Sequence, residues 1–410
     1  MERSLNPMIK LSFTGDLMSL LPQNIVSKTE TGYNYDRVFS KVSNILRKSD
    51  YVVGNLETPI AGEECTYTSE SCVFNTPVEF VVAAMNAGFD CFTLANNHCL
   101  DRELEGLFQT IYNLESVGAV YTGIYDNKES AEKPLIIEVG GIKFAILSFT
   151  YGTNSKTNGH ILDEGNRFCV DLFRKQDKYL GISEPSWKSV VKRVIYSRVF
   201  PRFIREKIKP TPVLDSVKNS TILAEDKWYD DRMKAKIQKA KELSDVVIMC
   251  MHSGGQYNST IGVYTRELAH RIIDYGCDII IGNHPHCVLE AELYKNKLIT
   301  YSLGNFCFTP NWGYYYKGVY ADYSLILNLY FSNEGLFNSA SVNILKVVTE
   351  QDGNSVVYPL ADLIEKATLK EKRKLQNDTQ AVLKRFLGDS FITDYNPEEE
   401  LVFITDSGFK

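Results

Sequence analysis

No stretch of this chain approaches the roughly 20 consecutive apolar residues that a membrane-spanning helix requires. Its opening, MERSLNPMIKLSFTGD, carries neither the apolar core nor the cleavage site of a secretory leader, so a cytoplasmic protein is expected. Among the nine cysteines there is no Cys-x-x-Cys pair, which removes the zinc ribbon and the dithiol redox motif. Cys91, Cys250, Cys277 and Cys307 lie inside apolar runs, where a thiol is expected to act as a small buried hydrophobe. Cys65 and Cys72 flank a polar loop and are placed to pair, but a reducing compartment favours free thiols throughout. Positive charge is not in excess either: 45 Lys and Arg against 51 Asp and Glu give a net charge of -6. No nucleic-acid partner is expected from that balance, and any contact with a polyanion must be local.

What the chain does have is alternation. Strands are expected at Ile9 to Phe13, Tyr51 to Val53, Cys91 to Leu94, Leu135 to Val139, Lys143 to Phe149, Val246 to Met251, Asp278 to Ile281 and Leu298 to Ser302. Helical spacing falls between them, at Tyr35 to Lys48, Pro77 to Gly88, Asp101 to Gly118, Asp230 to Ser244 and Thr265 to Gly276, with Gly88, Gly118 and Gly276 at C-cap positions. This rhythm argues for a layered α/β domain over residues 8–345. A long insertion, 167–226, breaks it, and residues 346–410 read as a C-terminal helical extension.

The polar clusters follow strand ends. Asp16 follows LSFTG, Glu57 follows YVVGNL, Asn96, Asn97 and His98 follow CFTLA, His252 follows VVIMCM, and His284 and His286 follow DIIIGN. In parallel α/β sheets such positions share one edge, where these folds keep their ligands. Histidine is scarce, six in 410 residues, yet two stand together in GNHPHCVLE. Alternate residues of an extended segment share a side, so this pair reads as a binding site. Converging carboxylate, amide and imidazole groups form a ligand set for borderline divalent ions, Mn, Zn or Fe. One or two such ions, about 3.5 to 4 Å apart when paired, activate water and clamp the oxyanion of a phosphoester. Asn96, Tyr151, Asn154, Gln256 and Asn305 are candidates for contacts to substrate or to the metal-holding side chains, whereas His160 and His270 read as ordinary loop and helix-packing residues.

The segments GDLM, GNLETPI, FNTP, LANNHCLD, SFTYGTN, HSGGQY, GNHPHCVLE and YSLGNFCF, in this order, resemble the CapA-type family of capsule and poly-γ-glutamate biosynthesis. That family belongs with the calcineurin-like metallophosphoesterases, and the resemblance covers roughly residues 8–310. It implies a four-layer α/β/β/α sandwich and a metal-dependent hydrolase acting on a phosphoester or on an anionic cell-envelope polymer or its precursor. It also implies roles: Asp16, Glu57, Asn97, His252, His284 and His286 hold metal, with Glu57 bridging, and His98 is the general acid or oxyanion stabiliser. Met18 stands where the superfamily's Asp-x-His has histidine, and Gln256 where the family has glutamate. Both departures favour the alternative reading, a polymer-handling protein with weak chemistry or none.

The insertion carries WKSVVKRVIYSRVFPRFIREKIKP, basic residues interleaved with aromatic and aliphatic ones. This pattern is expected to give short amphipathic helices over 187–209, serving as a lid over the sheet edge or as an arm contacting an anionic membrane surface.

Overall fold

The computed structural model describes residues 8–69, 73–178, 222–307, 318–388, 396–397, 399–405 and 408–409. The basic stretch 187–209 and Cys72 lie outside these. The described cysteines are unbridged.

Two sheets form the body. The larger runs β15-β14-β12-β11-β1-β2-β3-β4, with β13 pairing the far end of β12. Its strands are β1 (Ile9–Leu17), β2 (Tyr51–Leu56), β3 (Cys91–Thr93), β4 (Val120–Thr122), β11 (Tyr323–Phe331), β12 (Phe337–Thr349), β13 (Ser355–Pro359), β14 (Leu401–Thr405) and β15 (Gly408–Phe409). The smaller runs β5-β6-β7-β8-β10-β9, from β5 (Leu135–Val139), β6 (Ile142–Thr150), β7 (Val246–His252), β8 (Ile279–Asn283), β9 (Ala291–Tyr294) and β10 (Lys297–Thr300). Within them β1 to β4 are mutually parallel, as are β6, β7, β8 and β10.

Three apolar layers separate four structural ones. Between the sheets Leu11, Phe13 and Val53 meet Phe144, Ile146, Ile248 and Ile281. Outside the larger sheet Val52, Leu56 and Phe92 pack under helices Glu79–Ala87 and Glu103–Ser116 through Phe80, Ala84, Leu107 and Ile111. Outside the smaller sheet Leu147, Met249 and Ile280 pack under Lys227–Leu243 and Val263–Tyr275 through Met233, Ile237, Leu268 and Ile272. The order is α/β/β/α. Each fully buried aliphatic or aromatic side chain contributes roughly 1.5–3 kcal/mol, so strands with both faces covered are the strongest part of the fold.

Gly88, Gly118 and Gly276 adopt the positive φ that ends the expected helices. The helix expected over Tyr35 to Lys48 instead divides into Asp36–Phe39 and Ser43–Leu46. Between them the backbone tightens to three-residue spacing, with Val42 N–H donating to the Phe39 carbonyl at 3.1 Å, while Val38, Phe39, Val42 and Leu46 stay buried. The long strands β11 and β12 were not among the expected ones; in β11, YSLILNLYF is buried on both faces and shows no alternation to read. The boundary at residue 345 falls inside β12, and the segment beyond it supplies β13, β14 and β15 as well as the helices Leu360–Lys366 and Leu369–Leu387. Among the described residues no helix is long and apolar enough to cross a membrane.

Where the insertion begins, Val170 bridges Ile124 and Leu172 bridges Thr150 at the end of β6. Between these two bridges, buried Asp171 is clamped by Arg232 at 2.5 Å and Lys236 at 2.8 Å, one helical turn apart, and accepts from Tyr125 at 2.8 Å. The chain is thereby fixed beside the end of β6, from which Tyr151 and Asn154 follow.

The connection from β10 to β11 passes the end of β1 at very close backbone approach. Asp16 N–H donates to the Gly304 carbonyl at 3.0 Å and Phe306 N–H to the Asp16 carbonyl at 2.9 Å. A Cβ on Gly15 would lie 1.9 Å from the Gly304 oxygen. Gly15→Ala is therefore expected to cost about 3 kcal/mol by forcing this connection away from β1, measured by urea unfolding; an unchanged midpoint would contradict this contact.

Candidate metal centre

Each expected site residue lies at the C-terminal end of a parallel strand or in the loop that follows it. Asp16 ends β1, Glu57 follows β2, and Asn96, Asn97 and His98 form the turn after β3. Tyr151 and Asn154 follow β6, His252 is the last residue of β7, and His284 and His286 follow β8. Asn305 is laid beside Asp16 by a parallel bridge. Because the sheets stack with these ends together, the edges of both contribute donors to one buried pocket.

Glu57 is its hub. Two groups of donor atoms, Glu57–His252–His284 and Asp16–Glu57–His286, each lie within 4.8 Å of one another, and Glu57 belongs to both. His252 Nε2 is 3.4 Å and His286 Nε2 is 3.7 Å from Glu57 Oε1. Asn97 Oδ1 lies 2.7 Å from His252 Nε2, bringing it into the first group. Asp16 Oδ2 is 3.2 Å from His286 Nδ1. Although fully buried, neither carboxylate oxygen of Glu57 has a hydrogen-bond partner, and His284 Nδ1 lacks one as well.

Buried polar atoms without partners are costly, and these belong to residue types that ligate borderline divalent ions. The residues present therefore fit a metal. Electrostatics point the same way. Burial, and then the Asp16 charge, push Glu57 well above the usual carboxylate range. Burial also pushes Asp16 up, but the His286 hydrogen bond, the charges of His286 and His252 and the Asn55 amide outweigh it and hold Asp16 below its ordinary value. Burial drives His252 down to about 3 and His284 well below the normal imidazole range, which keeps both rings in the neutral, ligating form.

Beside this pocket His98 Nδ1 lies 2.7 Å from Asp101 Oδ2, which also accepts from Phe74 N–H at 2.8 Å. The Phe74 ring packs edge-on against His98 at 4.5 Å. Asn154, in a left-handed conformation, accepts from Asn97 at 3.2 Å and lies 3.4 Å from His98 Nδ1. Asn96 shapes the loop, donating to the Leu56 carbonyl at 2.8 Å and accepting from His98 N–H at 3.0 Å. The Tyr151 ring lies 4.8 Å from that of His284. Asn305 Oδ1 is 2.8 Å from His286 Nδ1, and its amide donates to the Ala321 carbonyl at 3.0 Å. Gln256 is half-buried in the loop after β7, with no ligand group drawn to it. His270 lies on a helix 2.5 Å from Glu292 and stacked on Tyr294, away from the centre.

Three participants were missing from the sequence reading. Asn55 donates to Asp16 Oδ1 at 2.7 Å and lies 3.3 Å from His252 Nδ1; its position two residues before Glu57 was the available signal. Asp101 lies three residues after His98 in LANNHCLD, a spacing that brings it back under the ring. Tyr257 packs 5.5 Å from His286.

The reason for the two-histidine spacing also differs. His284 and His286 are not in extended backbone: their φ angles are +102° and +55°, a strained region for residues other than glycine. The turn sends His284 toward the His252 group and His286 toward the Asp16 group. Met18 is buried with Leu20 and Phe74, and Tyr257 packs against them. It forms an apolar wall where an imidazole was the alternative.

The fold is a four-layer α/β/β/α sandwich with this donor set at the shared edge of both sheets. More narrowly, the chain belongs to the family described as bacterial capsule synthesis protein PGA_cap, whose sequence profile matches residues 10–310. Relatives include a capsule biosynthesis protein CapA of Bacillus anthracis, 27% identical over 75% of this chain and 61% of that protein. A PGA biosynthesis protein CapA of Bacillus subtilis (strain 168) is 26% identical over 74% of this chain and 64% of that protein. The chain thus spans under two thirds of the length of these relatives. Among solved structures, a phosphatase from Mycoplasma pneumoniae is similar at 11% identity and a TM-score of 0.41, over 83% of this chain and 95% of that one.

In metal-stripped protein, Glu57→Gln is expected to be at least as stable as wild type, because it replaces a buried ionisable carboxyl with a neutral group of the same shape. Added Mn2+ at a hundredfold excess over its Kd should stabilise wild type by about 2.7 kcal/mol and leave Glu57→Gln nearly unmoved. Equal Mn2+ responses in thermal melts would remove Glu57 from the ligand set.

Proposed function

We propose that this chain is a metal-dependent hydrolase of phosphoesters or of an anionic envelope polymer or precursor. The observation that carries this reading is the pair of partnerless Glu57 oxygens shared between the His252–His284 and Asp16–His286 groups. Divalent ions held there would supply Lewis acidity to a phosphoryl or carbonyl oxygen and lower the pKa of water.

The remaining roles fall to the chain's own side chains. Asp101 fixes the His98 ring through Nδ1, which leaves Nε2 as the atom that delivers a proton to the leaving group or stabilises charge on the transferred group. Phe74 holds the ring's plane, and Asn154 couples its position to Asn97. Neutral His252 and His284 offer lone pairs rather than protons. The names of the Bacillus relatives, capsule and PGA biosynthesis, support poly-γ-glutamate or its precursors as the polymer.

A second reading, a polymer-handling protein with little chemistry, is favoured by Met18 in the apolar wall. The retained His98–Asp101 pair favours the enzyme. Chromogenic phosphomonoester and phosphodiester assays with Mn, Zn, Fe or Mg decide between them. Metal-dependent turnover is expected, reduced about 10²–10⁴-fold by His98→Ala and abolished by His284→Ala. Metal bound without cleavage of either ester or of a γ-glutamyl polymer would overturn the enzyme reading.

A further inference from the structure

The helix Leu369–Leu387 lies beyond the span that carries the family match, yet it reaches to within two residues of His286. Its apolar residues Val382, Leu383 and Phe386 are buried in the same core as Val288, Leu303 and Tyr323. Asp378, Val382 and Arg385 follow at four- and three-residue spacing and so share one side of the helix. From that side Asp378 accepts from the Tyr323 hydroxyl at 3.1 Å. Arg385 donates to the Gly318 carbonyl at 2.5 Å and the Val319 carbonyl at 2.8 Å, and its guanidinium lies 3.4 Å from the Val288 carbonyl.

Those three carbonyls belong to the two segments that hold His286 in place. Val288 follows His286 by two residues and bridges Leu303. Just after Gly318 and Val319, the Ala321 carbonyl accepts from the Asn305 amide at 3.0 Å, and Asn305 Oδ1 lies 2.8 Å from His286 Nδ1. A guanidinium presents five donors in a fixed planar fork, so one side chain can tie carbonyls of both segments in a single geometry. The need for such a tie is visible in the loop itself. His284 and His286 adopt positive φ, and strained backbone persists only where its surroundings over-determine it.

On the metal-dependent reading above, we infer that Arg385 is a positioning residue of the metal centre. It ties the segment after His286 to the segment that carries the Ala321 carbonyl, and so fixes His286 from both sides before an ion binds. The C-terminal helix is thereby a working part of the centre, although none of its side chains belongs to the donor groups.

The test is Mn2+ affinity of the metal-stripped full chain by calorimetry, beside hydrogen–deuterium exchange over residues 284–290 in the same metal-free protein. Arg385→Met keeps the aliphatic stem and removes every donor. It is expected to weaken Mn2+ roughly 10-fold, the lower end of the range for a residue that acts through a ligand's neighbours, and to speed exchange over 284–290. Arg385→Lys, a point charge without the fork, is expected to fall between Arg385→Met and wild type, and carries the test if the methionine variant does not fold. The control is Lys10→Met, which breaks the Lys10–Glu400 pair, 2.6 Å apart, at the start of β1 and away from Asp16 at its end. It is expected to lower the unfolding midpoint and leave Mn2+ affinity unchanged. Wild-type affinity and exchange in both Arg385 variants, or an equal loss of affinity in Lys10→Met, would overturn the role of Arg385 and leave the metal-dependent reading standing. No Mn2+ bound by wild type would overturn that reading, and exchange over 284–290 would then decide on its own whether Arg385 braces the loop.

Discussion

A buried carboxylate with nothing to neutralise it is the constraint around which this molecule is arranged. Glu57 has both oxygens sealed from solvent without hydrogen-bond partners, and burial together with Asp16 disfavours its charged form. A fold retains such a group only when something offsets its cost, and a cation held by the flanking donor groups would do so. The close backbone contact at Gly15 and Gly304 holds the connection after β10, which carries Asn305, against the end of β1 beside that carboxylate. The three apolar layers behind it supply the stability against which the site is strained.

That strain is local and specific. His284 and His286 both adopt positive φ, at a cost of order 1–3 kcal/mol each, in a loop whose other contacts hold it there. Tyr257 N–H donates to the Pro285 carbonyl at 2.8 Å, and Ser253 N–H to that of Asn283 at 3.1 Å. The strained turn lets one short segment serve two donor groups, which an extended strand could not do. Next to it the His98–Asp101 pair and the Asn97–Asn154 link set the imidazole that would move a proton.

Much of this was legible in the sequence because the relevant signals are local. The parallel strands β1, β2, β3, β6, β7 and β8 are short apolar runs ending in polar residues, and the rule that ligands gather at such ends was enough to group Asp16, Glu57, Asn97, His252, His284 and His286. Helix ends were marked by Gly88, Gly118 and Gly276. The strand β11 was not legible, because burial on both faces removes the alternation that marks a strand. Asn55 and Asp101 were passed over for another reason: their importance comes from what they hold, Asp16 and His98, and hydrogen-bond pairing across the fold is not written as a spacing. The HPH segment reads as extended in sequence, a geometry it does not have, since period alone cannot reveal a turn with positive φ. Met18 was visible as an oddity, but its membership of an apolar cluster with Leu20 and Phe74 required the packed structure.

The most direct test of the central claim is anomalous diffraction from crystals grown with Mn2+, which locates the ion independently of any activity. The account predicts a peak within bonding distance of Glu57, Asn97, His252 and His284. Manganese found only at surface carboxylates, with Glu57 satisfied by water or by a neighbouring side chain, would contradict it.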